Sequence, residues 1–118
     1  MSSMKNKYRN TKNTFLGLRF DSLLERDRWI FLKQCEKDGL ITELKRQERI
    51  PLYCNEKHIC DYIADFIYIQ NGEEKIEDVK GILTDVFRIK AKLYEANYGK
   101  KITIIKKKGV TSLQKSHK

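Results

Sequence analysis

The chain has 118 residues and a formal net charge of +9, with 40% of its residues hydrophobic and 35% charged. That composition is globular rather than disordered, and the length suits one domain with a single core. No apolar stretch approaches the roughly 18 residues that a membrane span needs, and the opening "MSSMKNKYRNTKNT" lacks the apolar segment of a secretory signal, so a cytoplasmic protein is expected.

The charge is unevenly spread. Lys5, Lys7, Arg9 and Lys12 lie in residues 1–12, and Lys106, Lys107, Lys108, Lys115 and Lys118 lie in residues 106–118, with no acid in either stretch. These nine are the whole excess of 25 Lys and Arg over 16 Asp and Glu. The pattern predicts a neutral body, 13–105, carrying two flexible basic arms, 1–12 and 106–118. Such arms suit a polyanion gripped through its phosphates, the competing role being solubility alone. Cys35, Cys54 and Cys60 are odd in number and lack a paired spacing, which predicts reduced thiols.

In chain order, a helix begins at Ser22 and runs through "LLERDRWIFLKQCEKD" to a stop at Gly39. Leu24, Phe31 and Cys35 share one stripe with Leu23 and Ile30 beside it, which predicts the core-facing side. "ITELKRQERIPL" reads as a strand closed by Pro51. "HICDYIADFIYI" and "EKIEDVKGIL" read as strands flanking the hairpin signal Asn71-Gly72. Thr84 caps a second helix, "DVFRIKAKLYEANY", with Gly99 as its stop and Phe87, Ala91, Tyr94 and Tyr98 as its apolar stripe. "KITIIK" is a final strand. The order α-β-β-β-α-β predicts an α/β (α+β) domain, a mixed sheet flanked by helices.

The hairpin brings charge into apolar strands. With Asn71-Gly72 at the turn, Asp65 faces Asp78 across the strands, Cβ atoms about 4.5–5.5 Å apart. Lys80 projects from the same face and Glu77 from the other, toward solvent. Directly opposed carboxylates repel, and a divalent cation between them reverses the sign. Ile63, Ile67, Ile69 and Ile76 on that face argue against two merely exposed acids.

Asp65, twelve residues, then Asp78-Val79-Lys80 resembles the PD-(D/E)xK nuclease signature, with Ala64 where the superfamily name has proline. The stretch "FLGLRFDSLLERDRW…ITELKRQERIPL…YIADF…IEDVKG…FRIKAKLYE" resembles more closely a family of small phage-encoded nuclease-like proteins, over roughly residues 15–105. The resemblance implies a restriction-endonuclease-like core and an Mg²⁺- or Mn²⁺-dependent endonuclease acting on DNA. A branched substrate such as a Holliday junction is implied, cut by a homodimer in the cytoplasm of a bacterial host, without a small-molecule cofactor. The alternatives are a nuclease subunit of a larger phage DNA-processing complex, or a non-catalytic DNA-binding module of the same fold.

The implied metal ligands are Asp65, Asp78 and Glu25, with Lys80 acting on the attacking water. Glu25 has a second reading, since Ser22-x-x-Glu25 is also a capping box. Gln47 matches a glutamine of the family and is a candidate DNA contact, or an exposed strand residue. Arg88, Lys90 and Lys92 on the second helix are candidate phosphate contacts beside the site, and Lys106, Lys107 and Lys108 are candidates on the arm; each also fits a solvated face. Cys54, His58 and Cys60 lack the fourth partner and spacing of a zinc site. Trp29, Tyr53, Tyr62 and Phe66 fall on core periodicities and are expected to pack rather than stack on bases.

Overall fold

The computed structural model describes residues 13–114. A small hairpin unforeseen in the sequence comes first: β1 (Thr14–Phe15) turns through Leu16 and Gly17, both at positive φ, into β2 (Leu18–Arg19). Helix α1 (Leu23–Lys37) follows, then strands β3 (Thr42–Cys54), β4 (Lys57–Gln70) and β5 (Glu73–Val79). Helix α2 (Asp85–Tyr98) leads to β6 (Thr103–Ile105) and a short 3₁₀ turn, Lys107–Gly109. The expected order is therefore present. The sheet runs β3-β4-β5-β6, antiparallel except for the parallel pair β5/β6, so it is mixed. Among the described residues, no helix is long and apolar enough to cross a membrane.

Both helices start on the caps read from the sequence. The Ser22 hydroxyl accepts the Glu25 N–H at 3.0 Å, and Thr84 Oγ1 accepts the Phe87 N–H at 3.1 Å. Gly99 closes α2 in the left-handed conformation, φ 72°, that glycine adopts without a Cβ clash. The Asn71-Gly72 turn sets the predicted register, pairing Gln70 with Glu73 and Phe66 with Glu77. Pro51 does not close β3. It sits inside this edge strand opposite Asp61, the kind of strand where proline is tolerated, and Tyr98 donates to its carbonyl at 2.6 Å.

The core has two parts. Leu52, Tyr62, Ala64, Ile76, Phe87 and Tyr94 form the part under α2; Leu32, Cys35, Ile41, Phe66 and Tyr68 form the part under α1. Phe87, Tyr94 and half-buried Ala91 match the predicted stripe of α2, while Tyr98 is largely exposed and lies against the Tyr94 ring. Trp29 stacks on Phe66 at 6.0 Å, as packing requires. Tyr53 does not join the core: it is exposed, its ring edge-on to His58.

The buried side of α1 keeps Cys35 of the expected apolar stripe but otherwise departs from it. Glu25, Arg28, Leu32 and Cys35 point inward, while Leu23 is 42% and Ile30 36% exposed. The reason is an ion pair. Arg28 Nε and Nη2 donate to Glu77 Oε1 and Oε2 at 2.8 and 2.5 Å, and both side chains are fully buried. Glu77 therefore does not reach solvent. Its carboxylate also accepts from the Tyr68 hydroxyl and from Gln114 Nε2.

The same arginine revises the C-terminal boundary. Arg28 Nη1 donates to the carbonyls of Gly109, Val110 and Ser112 at 3.1, 2.9 and 2.6 Å, and Thr103 donates to Gln114 Oε1. Residues 106–114 thus belong to the folded body rather than to a free arm. Residues 1–12, with Lys5, Lys7, Arg9 and Lys12, and residues 115–118, with Lys115 and Lys118, lie outside the described residues.

Candidate active site

Strands β3, β4 and β5 converge with the start of α2 on a pocket of about 300 Å³. Asp65 and Tyr62 enter it from β4, Asp78 from the end of β5 and Lys80 from the segment after it. Gln47 comes from β3, and Thr84, Phe87 and Lys90 from α2 and its cap. The β4/β5 ladder closes at Phe66 and Glu77, one step short of the acids. There Asp65 Oδ2 accepts the Val79 N–H at 2.9 Å, a backbone bond that fixes the carboxylate against β5. Alternation along β5 accordingly sends Glu77 to the α1 side and Asp78 to the pocket.

Each oxygen of the pair meets a cation or a hydrogen-bond donor, and the two carboxyls also hydrogen-bond each other. Asp78 Oδ2 accepts from the Tyr62 hydroxyl, and Oδ1 stands 3.2 Å from Lys80 Nζ. Asp65 Oδ1 accepts from Gln47 Nε2 at 3.3 Å. The Lys80 ammonium lies 4.6 Å over the Phe87 ring, and the Lys80 N–H extends the sheet by donating to Ile105 O. Lys80 is thus held at both ends, by backbone and by side chain.

The electrostatics carry the stress expected of opposed acids. Burial, followed by the Asp78 carboxylate, pushes Asp65 up to about 8, against the pull of the Val79 N–H. Burial and the neighbouring Asp21 also raise Glu25, opposed by Arg46, whose Nη2 lies 3.9 Å from Glu25 Oε2. Tyr62 is raised too, by burial and then by Asp78, which keeps its phenol protonated and donating.

Glu25 is buried and does more than cap. Its N–H closes the Ser22 cap while its carboxylate accepts from Gln47 Nε2 at 3.1 Å. Among the described residues, no group of three or more His, Cys, Asp or Glu side chains is assembled for a metal ion. The expected three-ligand set of Glu25, Asp65 and Asp78 is therefore not preformed; the Gln47 amide joins Glu25 to Asp65 instead.

Residues 5–112 match a family described as proteins of unknown function, DUF1064. The chain belongs to the DUF1064 family. A search of curated proteins gave no match.

The other candidates in this DUF1064 chain divide by position. Lys90 lines the pocket and donates to Asp61 O at 2.9 Å. Arg88 is exposed and pairs with Asp85 at 3.4 Å, and Lys92 is exposed away from the pocket. Lys106, Lys107 and Lys108 are exposed at the 3₁₀ turn and do not line it either. Cys35 is buried, Cys60 half-buried and Cys54 exposed, each a free thiol.

Two residues of the site escaped the sequence reading. Tyr62 was expected only to pack; it does so against Phe87 and Tyr94, but its hydroxyl also holds Asp78. Its spacing of three from Asp65 on a strand gave no hint, because alternation assigns the two to opposite faces. Asp21, which lines the pocket, directly precedes the helix cap and reads in sequence only as a turn residue.

Proposed function

We propose that this DUF1064 protein is a metal-dependent endonuclease acting on DNA, built on a PD-(D/E)xK-type core. One observation carries the reading. Asp65 and Asp78 share a pocket with Lys80, and Asp65 is pushed to about 8 because neither burial nor its neighbour tolerates a second negative charge. The donors are hard carboxylate oxygens, and a divalent cation removes the repulsion that a buried acid pair otherwise bears, so the residues fit Mg²⁺ or Mn²⁺.

Asp65 and Asp78 would hold the ion, with Glu25 as the further acid within reach of the same amide bridge. A bound Mg²⁺ or Mn²⁺ supplies Lewis acidity at the scissile phosphate and a water of lowered pKa. The protein's own groups do the rest. The Val79 N–H and the Tyr62 hydroxyl fix the two carboxylates before any ligand arrives. Lys80, carried on the sheet end, offsets charge building on the phosphate and orients the attacking water. Lys90, on the rim, favours approach of the backbone of the nucleic acid.

The sequence resemblance points to branched DNA of the Holliday-junction kind as the substrate, cut by a homodimer so that two centres meet two strands. The test is cleavage of linear, flapped and four-way DNA with Mg²⁺ or Mn²⁺, with chelator and Asp78→Asn controls. Metal-dependent cleavage that vanishes in the control supports the proposal. Binding to DNA with no cleavage under any metal would favour the non-catalytic module.

A further inference from the structure

We infer that Gln47 is a positioning residue whose amide holds Glu25 and Asp65, two of the acids that would take part in binding the cation, and is displaced when metal binds. The inference rests on the metal-site reading above.

Gln47 Nε2 lies 3.1 Å from Glu25 Oε2 and 3.3 Å from Asp65 Oδ1. A carboxamide nitrogen has two hydrogens, and here both are directed at carboxylates from different elements, α1 and β4. A divalent cation binding those acids would take oxygens from the same two groups. The amide nitrogen is therefore a neutral stand-in, offering partial positive charge where the ion offers a full one. It cannot share the position: a donor N–H aimed at a ligand oxygen competes with the metal for the same lone pairs.

The position of Gln47 suits a group that has to move. Its neighbours Arg46 and Glu48 pair with Phe66 and Ala64, which leaves Gln47 opposite Asp65. Its φ is +56°, in the left-handed region that a non-glycine residue adopts only when its surroundings hold it there. Its side chain is exposed, so swinging away exchanges two hydrogen bonds for water without opening the core. Arg46, stacked 4.4 Å over Phe20 and donating to Arg19 O, stays beside Glu25 meanwhile.

The test is Mn²⁺ binding without DNA, by calorimetry, to the wild-type chain, Gln47→Ala and Gln47→Gly. Glycine is included because it adopts the positive φ without strain, so that variant folds even where alanine is tolerated poorly. Removing a displaced amide should tighten Mn²⁺ binding about tenfold, the worth of roughly one charge-assisted hydrogen bond. A merely structural role would loosen the site and weaken binding. Equal or weaker affinity in the variants overturns the inference while leaving the metal site standing. Absence of Mn²⁺ binding in the wild type and in both variants overturns the metal-site reading, and this inference with it.

Discussion

Glu77→Gln should be among the most destabilising single changes available in this chain, although it removes no atom from the core. Glu77 Oε1 accepts from Arg28 Nε, while Oε2 accepts from Arg28 Nη2, the Tyr68 hydroxyl and Gln114 Nε2. Glutamine offers one oxygen for these donors and turns an NH₂ toward the rest. With its oxygen at the crowded Oε2 position, Arg28 Nε loses its acceptor, and a fully buried guanidinium loses its counter-charge. Breaking a buried pair from one side costs about 3–5 kcal/mol. The carbonyls of Gly109, Val110 and Ser112 still face Arg28, which argues for the lower end, about 3 kcal/mol. For a domain of this size that is a fall in melting temperature of roughly 12 °C or more. Urea and thermal unfolding followed by circular dichroism measure it. Replacing both partners, Arg28→Met with Glu77→Leu, should lose much less than the two single losses combined, because no uncompensated charge remains. A Glu77→Gln chain within 1 kcal/mol of wild type would refute the claim that this pair fastens α1 and the 109–114 segment to β5.

Asp78→Asn should abolish metal-dependent cleavage while leaving the metal-free chain as stable as before or slightly more so, by roughly 0.2–1 kcal/mol, since it ends the repulsion with Asp65; a variant cutting at the wild-type rate refutes the assignment. Because Asp65 is raised from the ordinary aspartate value to about 8, the folded state holds a proton that the unfolded chain releases, so its contribution to stability is full below about pH 4 and is lost as pH rises toward 8. The metal-free melting temperature should therefore fall across that window, and Asp78→Asn should flatten the slope; a slope identical in both chains counts against the coupling. Glu25→Gln preserves the Ser22 cap, which uses a backbone N–H, so it should reduce cleavage or Mn²⁺ affinity with little change in melting temperature, and full activity would leave only the cap. Truncation after Lys108 should lower stability by removing the carbonyls and the glutamine that satisfy Arg28 and Glu77, rather than changing DNA affinity alone; an unchanged melting temperature would restore the free-arm reading.

What the sequence revealed and what it hid follow from the range of the interactions. The Asn71-Gly72 turn is local, and a two-residue turn propagates its register along both strands as far as Phe66 and Glu77, so the neighbouring approach of Asp65 to Asp78 was readable from spacing alone. The helix caps at Ser22 and Thr84 and the stop at Gly99 are likewise local. The buried side of α1 was readable only in part. Apolar periodicity finds Cys35, which is buried, and Phe31, which packs on the core, but it also picks out the exposed Leu23 and Ile30 and misses Arg28, drawn inward by a carboxylate 49 positions away and by carbonyls more than 80 positions away. A pattern of hydrophobicity cannot register a charge whose burial is licensed by a distant partner. The basic run Lys106-Lys107-Lys108 misled for the same reason: composition reports the exposed lysines, and the neutral residues behind them do the anchoring.

Adjacent acids on β5 now have separate physical accounts. Strand alternation sends Glu77 to one side and Asp78 to the other, and the two sides differ in what they offer a negative charge. On the α1 side, Glu77 meets a bidentate guanidinium and two further donors, so its charge is matched in full by the chain itself. On the pocket side, Asp78 meets one phenol and one ammonium while facing Asp65, and the pair answers by holding a proton on Asp65 up to about pH 8. A fold that needed only stability would have no reason to leave Asp65 and Asp78 short of positive charge when it equips Glu77 so completely. The shortfall sits in an open pocket beside Lys80, where a cation and a phosphate could enter, and it is the feature of the molecule that most directly calls for a ligand.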